Sequence, residues 1–165
     1  MITRVAKILL LAGTAVFYSI VVFDNLTDFN SNYQFVRHVL LMDTIFPGNH
    51  GMWRSLPAPW FHLCFYISII AWEFATAILL WWAVVLLLRA LKLSASAFNA
   101  AKGVPVMALT LSLSMWLVAF LAVGGEWFLM WQSKTWNGQE AAFRMFTVVG
   151  LVLLVILQPD TDGQP

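Results

Sequence analysis

Glu73 lies near the middle of a long apolar run, flanked by Trp72 and Phe74. An ionised carboxylate at mid-bilayer costs at least ~2.5 kcal/mol, so such a group faces a protein interior, pairs, or carries a proton. At about 100° per residue, His62, Tyr66, Glu73 and Thr76 fall within about 80° of one another. They form one polar stripe on a helix, with Ile69 as its apolar gap. Thr14 and Tyr18 are four apart in an earlier apolar run, and Thr110 and Ser114 are four apart in a later one. Tyr18 and Ser114 are therefore candidates for the facing wall. Two kinds of chemistry suit this constellation. One is a buried polar site, either a proton relay or an anchor for a quinone-like or other small ligand. The other is interhelical hydrogen bonding, worth ~1 kcal/mol or less per bond.

A second set of candidates lies toward the connections. His38, His50 and His62 fall near Asp24, Asp28 and Asp43, which raises metal or haem ligation. No two of the histidines have a ligand spacing such as HxxxH, and only His62 reaches helix depth, so no cofactor is expected. Between Gly124 and Glu140, polar and tryptophan residues alternate irregularly. Glu140 and Arg144 have the i,i+4 spacing and order of a helical ion pair, and Arg144 could instead reach Glu126. Asp28, Arg37, His38, Asp43, Glu126 and Arg144 are thus candidates for a polar rim on the outer face. The simpler reading is a charge-paired span entrance with snorkelling side chains.

Other chemistries have no support. There is no GxSxG, HExxH, GxxxxGK or GxGxxG, so no catalytic motif marks an enzyme. Cys64 is the single cysteine and sits in an apolar run, which excludes an intrachain disulfide and reads as packing. The net charge of +1 gives no basic face for nucleic acid.

The elements that must position these residues follow from composition. Of 165 residues, 61% are hydrophobic and 10% charged, against ~45–50% and ~25% in soluble domains. The excess apolar surface must meet lipid. A span of the ~30 Å hydrocarbon core needs about 20 apolar residues in a helix. Four runs qualify, at about 5–23, 60–88, 106–129 and 141–157. The expected fold is a single all-α domain, a four-helix transmembrane bundle with a structured outer loop between helices 1 and 2. The first run ends in bulky residues, Ile20-Val21-Val22-Phe23, and not in the small residues of a cleavage site. It is expected to remain as a helix.

Lysines and arginines set the orientation. Arg4, Lys7, Arg89, Lys92 and Lys102 fall on one side; Arg37, Arg54, Lys134 and Arg144 on the other. The count is close, but the residues nearest the ends of the first two spans place both termini in the cytoplasm. Trp53, Trp60, Trp127, Trp131 and Trp136 mark an outer aromatic belt, and Trp81 and Trp82 lie toward the inner end of span two. Trp72 and Trp116 read as packing residues.

In the long first connection, Asn30 or Ser31 can cap a helix from near Asn32. Tyr33, Val36, Val39 and Leu40 share its apolar face. Pro47-Gly48-Asn49 ends it, and Leu56-Pro57-Ala58-Pro59 makes a second turn. In the second connection, Ser94 reads as an N-cap and Gly103 as a C-cap of a short interfacial helix. Residues 158–165 are polar and expected to be disordered.

The outer segments carry a resemblance. Asp24-Asn25-Leu26-Thr27-Asp28-Phe29-Asn30-Ser31-Asn32, with Tyr33 to Leu40, Met42-Asp43-Thr44 and Phe46-Pro47-Gly48-Asn49, resembles a bacterial family of predicted small integral membrane proteins. That family is catalogued as domain of unknown function 2165. Gly125-Glu126-Trp127-Phe128, Trp131-Gln132-Ser133 and Trp136-Asn137-Gly138-Gln139 fit it as well. The resemblance spans essentially the whole chain. It implies a four-span bacterial membrane protein and brings no activity; the expected location is the inner membrane.

From the sequence, the leading expectation is an accessory or assembly subunit. It would be embedded in lipid and dock on a larger membrane complex or on copies of itself. The alternatives are a small-molecule or proton-handling protein built around Glu73, and a haem-binding redox subunit.

Overall fold

The computed structural model describes residues 1–162. These residues form helices joined by short connections, and no strand occurs among them. Helix α1 spans Ile2–Thr27 and α2 spans Phe29–Leu41. A 3-10 turn at His50–Arg54 leads to α3, Pro59–Ala90, and the short α4 spans Ala95–Ala100. Helix α5, Gly103–Ser114, continues as a π-helical stretch over Met115–Trp127, and a 3-10 turn at Met130–Gln132 precedes α6, Gln139–Leu157. Four helical stretches are long and apolar enough to cross a membrane: Ile2–Thr27, Pro59–Ala90, Ala95–Trp127 and Gln139–Leu157.

The long helices pack in a ring. Helix α1 lies on α3, α3 on α5, α5 and the π stretch on α6, and α6 returns to α1. Leu11, Ala15, Leu80, Leu87, Leu109 and Val149 fill the centre with no solvent exposure. Small side chains at Ala15, Ala83, Ala108 and Ala142, all fully buried, let the backbones approach. The outward faces carry large apolar side chains such as Leu9, Ile20, Phe74, Ile78 and Leu154, each more than half exposed. That inversion of the soluble pattern is what a lipid solvent requires.

Several boundaries differ from those read in the sequence. Helix α1 runs a full turn past Phe23, because Asp24 and Asn25 continue the backbone bonding to Asp28 N–H→Asp24 C=O, 2.8 Å. The chain then pivots at Asp28 (φ −116°, ψ 56°) straight into α2, which starts at Phe29 and not near Asn32. Neither Asn30 nor Ser31 caps it; Ser31 Oγ instead donates to Asp28 Oδ2 at 2.7 Å. Helix α2 ends at Leu41 through a left-handed Met42 (φ 54°), well before Pro47. The turn at Gly48 (φ 75°) is separate. Val36, Val39 and Leu40 of α2 bury their shared face against Tyr66 and Ile70 of α3, Phe128 and Met130. Ser94 does cap α4, accepting from Ala97 N–H at 3.3 Å. Gly103 opens α5 and does not close α4, whose cap is Ala101.

The end of the molecule that holds the N-terminus is closed by an ion cluster. Lys7 Nζ and Lys102 Nζ each lie 2.6 Å from Asp160 Oδ2, and Arg4 Nε is 3.9 Å from Asp160 Oδ1. All four side chains are buried. Arg4 also donates to the carbonyls of Leu91 and Leu93, and Lys7 and Lys102 both donate to that of Gln158. Residues 158–162, expected to be disordered, are therefore held by buried charge; residues 163–165 of that expected tail lie outside the described residues.

Candidate functional site

Four elements meet around Glu73. Asn25 stands on the last turn of α1, because the helix continues past its apolar run and keeps Asn25 seven residues, two turns, beyond Tyr18 on the inward face. Asn32 stands on the first turn of α2, folded back by the pivot at Asp28. Tyr66 and Glu73 are likewise seven apart on α3 and face the same way. Trp116 is the second residue of the π stretch, whose wider turn re-aims side chains relative to α5.

The hydrogen bonds form a directed chain. Asn25 Nδ2 donates to Glu73 Oε2 at 2.6 Å. Asn25 Oδ1 accepts from Asn32 Nδ2 at 2.7 Å and from the Tyr66 hydroxyl at 3.1 Å. Turning the Asn25 amide over would set donor against donor at Asn32 and Tyr66, so its orientation is fixed by its partners. Glu73 is 3% exposed, Asn25 4% and Tyr66 1%. Glu73 Oε1 has no donor among the described residues, and no cationic side chain there pairs with the carboxylate.

Glu73 borders a cavity of about 310 Å³. Asn25, Tyr66 and Glu73 supply its polar floor, Trp116, Phe120 and Phe35 its aromatic walls, and the exposed Asp24 and Asn32 its mouth. An apolar space of about 50 Å³ adjoins it, sharing Phe35, Val36, Ile69 and Phe120. Gly138 lets Phe35 close over the site, since a Cβ there would stand 2.8 Å from the Phe35 ring.

The structure separates the other expected residues. His62 is buried but outside the cavity, and its Nε2 donates to the Leu56 carbonyl at 2.7 Å. Thr76 and Thr14 return their hydroxyls to their own helices, at Trp72 and Leu10. Tyr18 bonds Ser112 Oγ at 2.6 Å and accepts from Trp116 Nε1 at 2.9 Å, so Trp116 links it to the cavity wall. Ser112, two residues from the expected Ser114, is the serine that α5 turns inward. Thr110 is exposed.

The expected rim is not continuous. His38 Nδ1 and Asp43 Oδ2 pair at 2.7 Å, with the His38 ring stacked on Trp136 at 4.7 Å. Asp28 takes Ser31 and Arg37 donates to Gln34. Arg144 is exposed and, among the described residues, pairs with neither Glu126 nor Glu140. The arginine that organises this end is Arg54. It lies over the rings of Trp53 and Trp127 and donates to the Trp127 carbonyl at 3.2 Å. Among the described residues no group of three or more His, Cys, Asp and Glu side chains is gathered to hold a metal ion.

Four long apolar helices with apolar outer faces define an integral membrane protein with four candidate spans. The chain belongs to the predicted small integral membrane protein family, domain of unknown function 2165, whose family model matches residues 3–159. No curated protein and no solved structure matches it.

Proposed function

We propose that this is a small-molecule-binding membrane protein whose ligand seats against Glu73. The observation that carries this is the free carboxylate oxygen. Purely structural polar residues in spans satisfy one another across the helix interface. Here the Asn25, Asn32 and Tyr66 chain closes on one oxygen of Glu73 and leaves the other without a donor among the described residues, on a residue that lines a void of about 310 Å³. That volume is at the lower end of small-ligand sites, which are mostly apolar with a few placed polar groups.

In this reading the chain is a multi-pass protein of the bacterial inner membrane. Its four spans form a transmembrane bundle, the Asp28–Ala58 connection makes a structured outer cap, and both termini are cytoplasmic. Arg4, Lys7, Arg89, Lys92 and Lys102 gather at the end that holds the termini, which supports that orientation. The exposed apolar faces suit lipid and a protein partner equally, so they do not favour an accessory subunit over a ligand site. The haem reading has less support, since His62 already gives Nε2 to a backbone carbonyl.

Protein extracted from native membranes in mild detergent tests the proposal by mass spectrometry of the intact complex. The expected result is a small molecule bound to the wild type and absent from Ile69→Trp, which fills the cavity wall. A preparation free of small molecules but joined by a stoichiometric protein, unchanged by Ile69→Trp, would return the accessory-subunit reading to first place.

A further inference from the structure

We infer that the ligand is a monovalent organic cation, an amine carrying an apolar group, bound with its ammonium between Glu73 and Asp24. This rests on the ligand-site reading above and gives that site its chemical class.

Three features of the cavity converge on it. First, its charged lining is of one sign: Glu73 at the floor and Asp24 at the mouth, with no lysine, arginine or histidine among the lining residues. An anionic ligand would meet two carboxylates and no counter-charge. Second, the walls are aromatic. Tyr66, Trp116, Phe120 and Phe35 all line the space, and aromatic faces attract a desolvated cation by up to about 2 kcal/mol. Third, the polar floor is already arranged around an acceptor. Asn25 donates its N–H to Oε2, the one hydrogen bond to the carboxylate among the described residues, and leaves Oε1 without a donor there. A ligand N–H completes that oxygen, and an ammonium at the same time balances a buried charge that no side chain of the protein pairs. A ligand offering only acceptors, such as a quinone carbonyl, leaves Oε1 unmatched when the carboxylate is ionised.

The adjoining apolar space of about 50 Å³ fixes the other half of the ligand. It opens off the wall formed by Phe35, Val36, Ile69 and Phe120, away from the polar floor. A molecule with its ammonium on Glu73 therefore has room for a compact apolar group there, and none for a second charge.

The test uses the purified full chain in lipid nanodiscs and three probes of matched shape: 2-phenylethylamine, neutral 2-phenylethanol and anionic phenylacetate, titrated by calorimetry. The amine is expected to bind at least about tenfold more tightly than the alcohol, and phenylacetate not at all. Glu73→Gln should remove that preference. Asp24→Asn, an exposed change with little bearing on folding, should weaken the amine a few-fold and leave the alcohol unchanged. Equal binding of amine and alcohol that Ile69→Trp abolishes would overturn the cation assignment while keeping the ligand site. Phenylacetate as the tightest probe would do the same. Binding of none of the three, with no small molecule on protein from native membranes, would overturn both.

Discussion

Asn25 Nδ2 donates to Glu73 Oε2 at 2.6 Å and so ties the last turn of α1 to the middle of α3. The bond spans 48 residues of sequence and joins two buried side chains. Asn25→Leu removes the donor from Glu73 and the acceptor from Asn32 and Tyr66. Leaving such groups unmatched costs about 1–3 kcal/mol. The melting temperature of the purified protein should fall several degrees, whereas Asn25→Asp should also place two carboxylates in contact and fall further.

At the other end, Asp160 balances Lys7 and Lys102. Burial pushes its carboxyl up, but the hydrogen bonds and charges of Lys102 and Lys7 outweigh this and hold it below the usual carboxylate range. A group with a depressed folded-state pKa contributes stability above its unfolded pKa of about 3.9 and loses it as pH falls through the folded value. Asp160→Asn should therefore cost about 2 kcal/mol near neutral pH. The gap between variant and wild type should shrink below about pH 4. Thermal melts across pH check both the size and the sign.

Arg54 supports the connection before α3 by lying over Trp53 and Trp127 while donating to the Trp127 carbonyl. Lysine cannot match that planar geometry. Arg54→Lys should loosen the 42–58 connection at a cost of about 1 kcal/mol, seen as faster limited proteolysis there with the long helices still protected.

Gly138 sets how closely Phe35 seals the cavity. A methyl group at this position would press on the Phe35 ring at 2.8 Å. Gly138→Ala should displace Phe35 and its edge contact with Trp136. Ligand dissociation should then accelerate several-fold with little change in melting temperature.

Much of this architecture is legible in the sequence, for a simple reason. Apolar runs of span length admit few structures in lipid, so the four long helices follow from composition. The seven-residue spacing of Tyr66 and Glu73 likewise forces a common face. Legibility fails where a residue's meaning depends on a partner far along the chain. Asn25 sits just past an apolar run, where a polar residue normally signals a loop, and its link to Glu73 explains why α1 continues through it. Asp160 resembles any solvated tail acid until Lys7 and Lys102 converge on it. Ser112 and Ser114 differ by 200° of helical phase, and the packing of α5 against Tyr18 decides between them. The π stretch from Met115 has no periodic signature that sets it apart from an α-helix of the same apolar residues, so the placement of Trp116 comes from the fold alone.

Glu73, though buried, lines an open cavity and should be reached from it. The direct measurement is covalent labelling of the folded protein in nanodiscs with an apolar carbodiimide, followed by peptide mass spectrometry. Modification is expected at Glu73 in the folded wild type and should be lost in Ile69→Trp. Glu73 left unmodified in the folded wild type, yet modified after denaturation, would show the carboxylate sealed within helix packing and out of reach of any ligand.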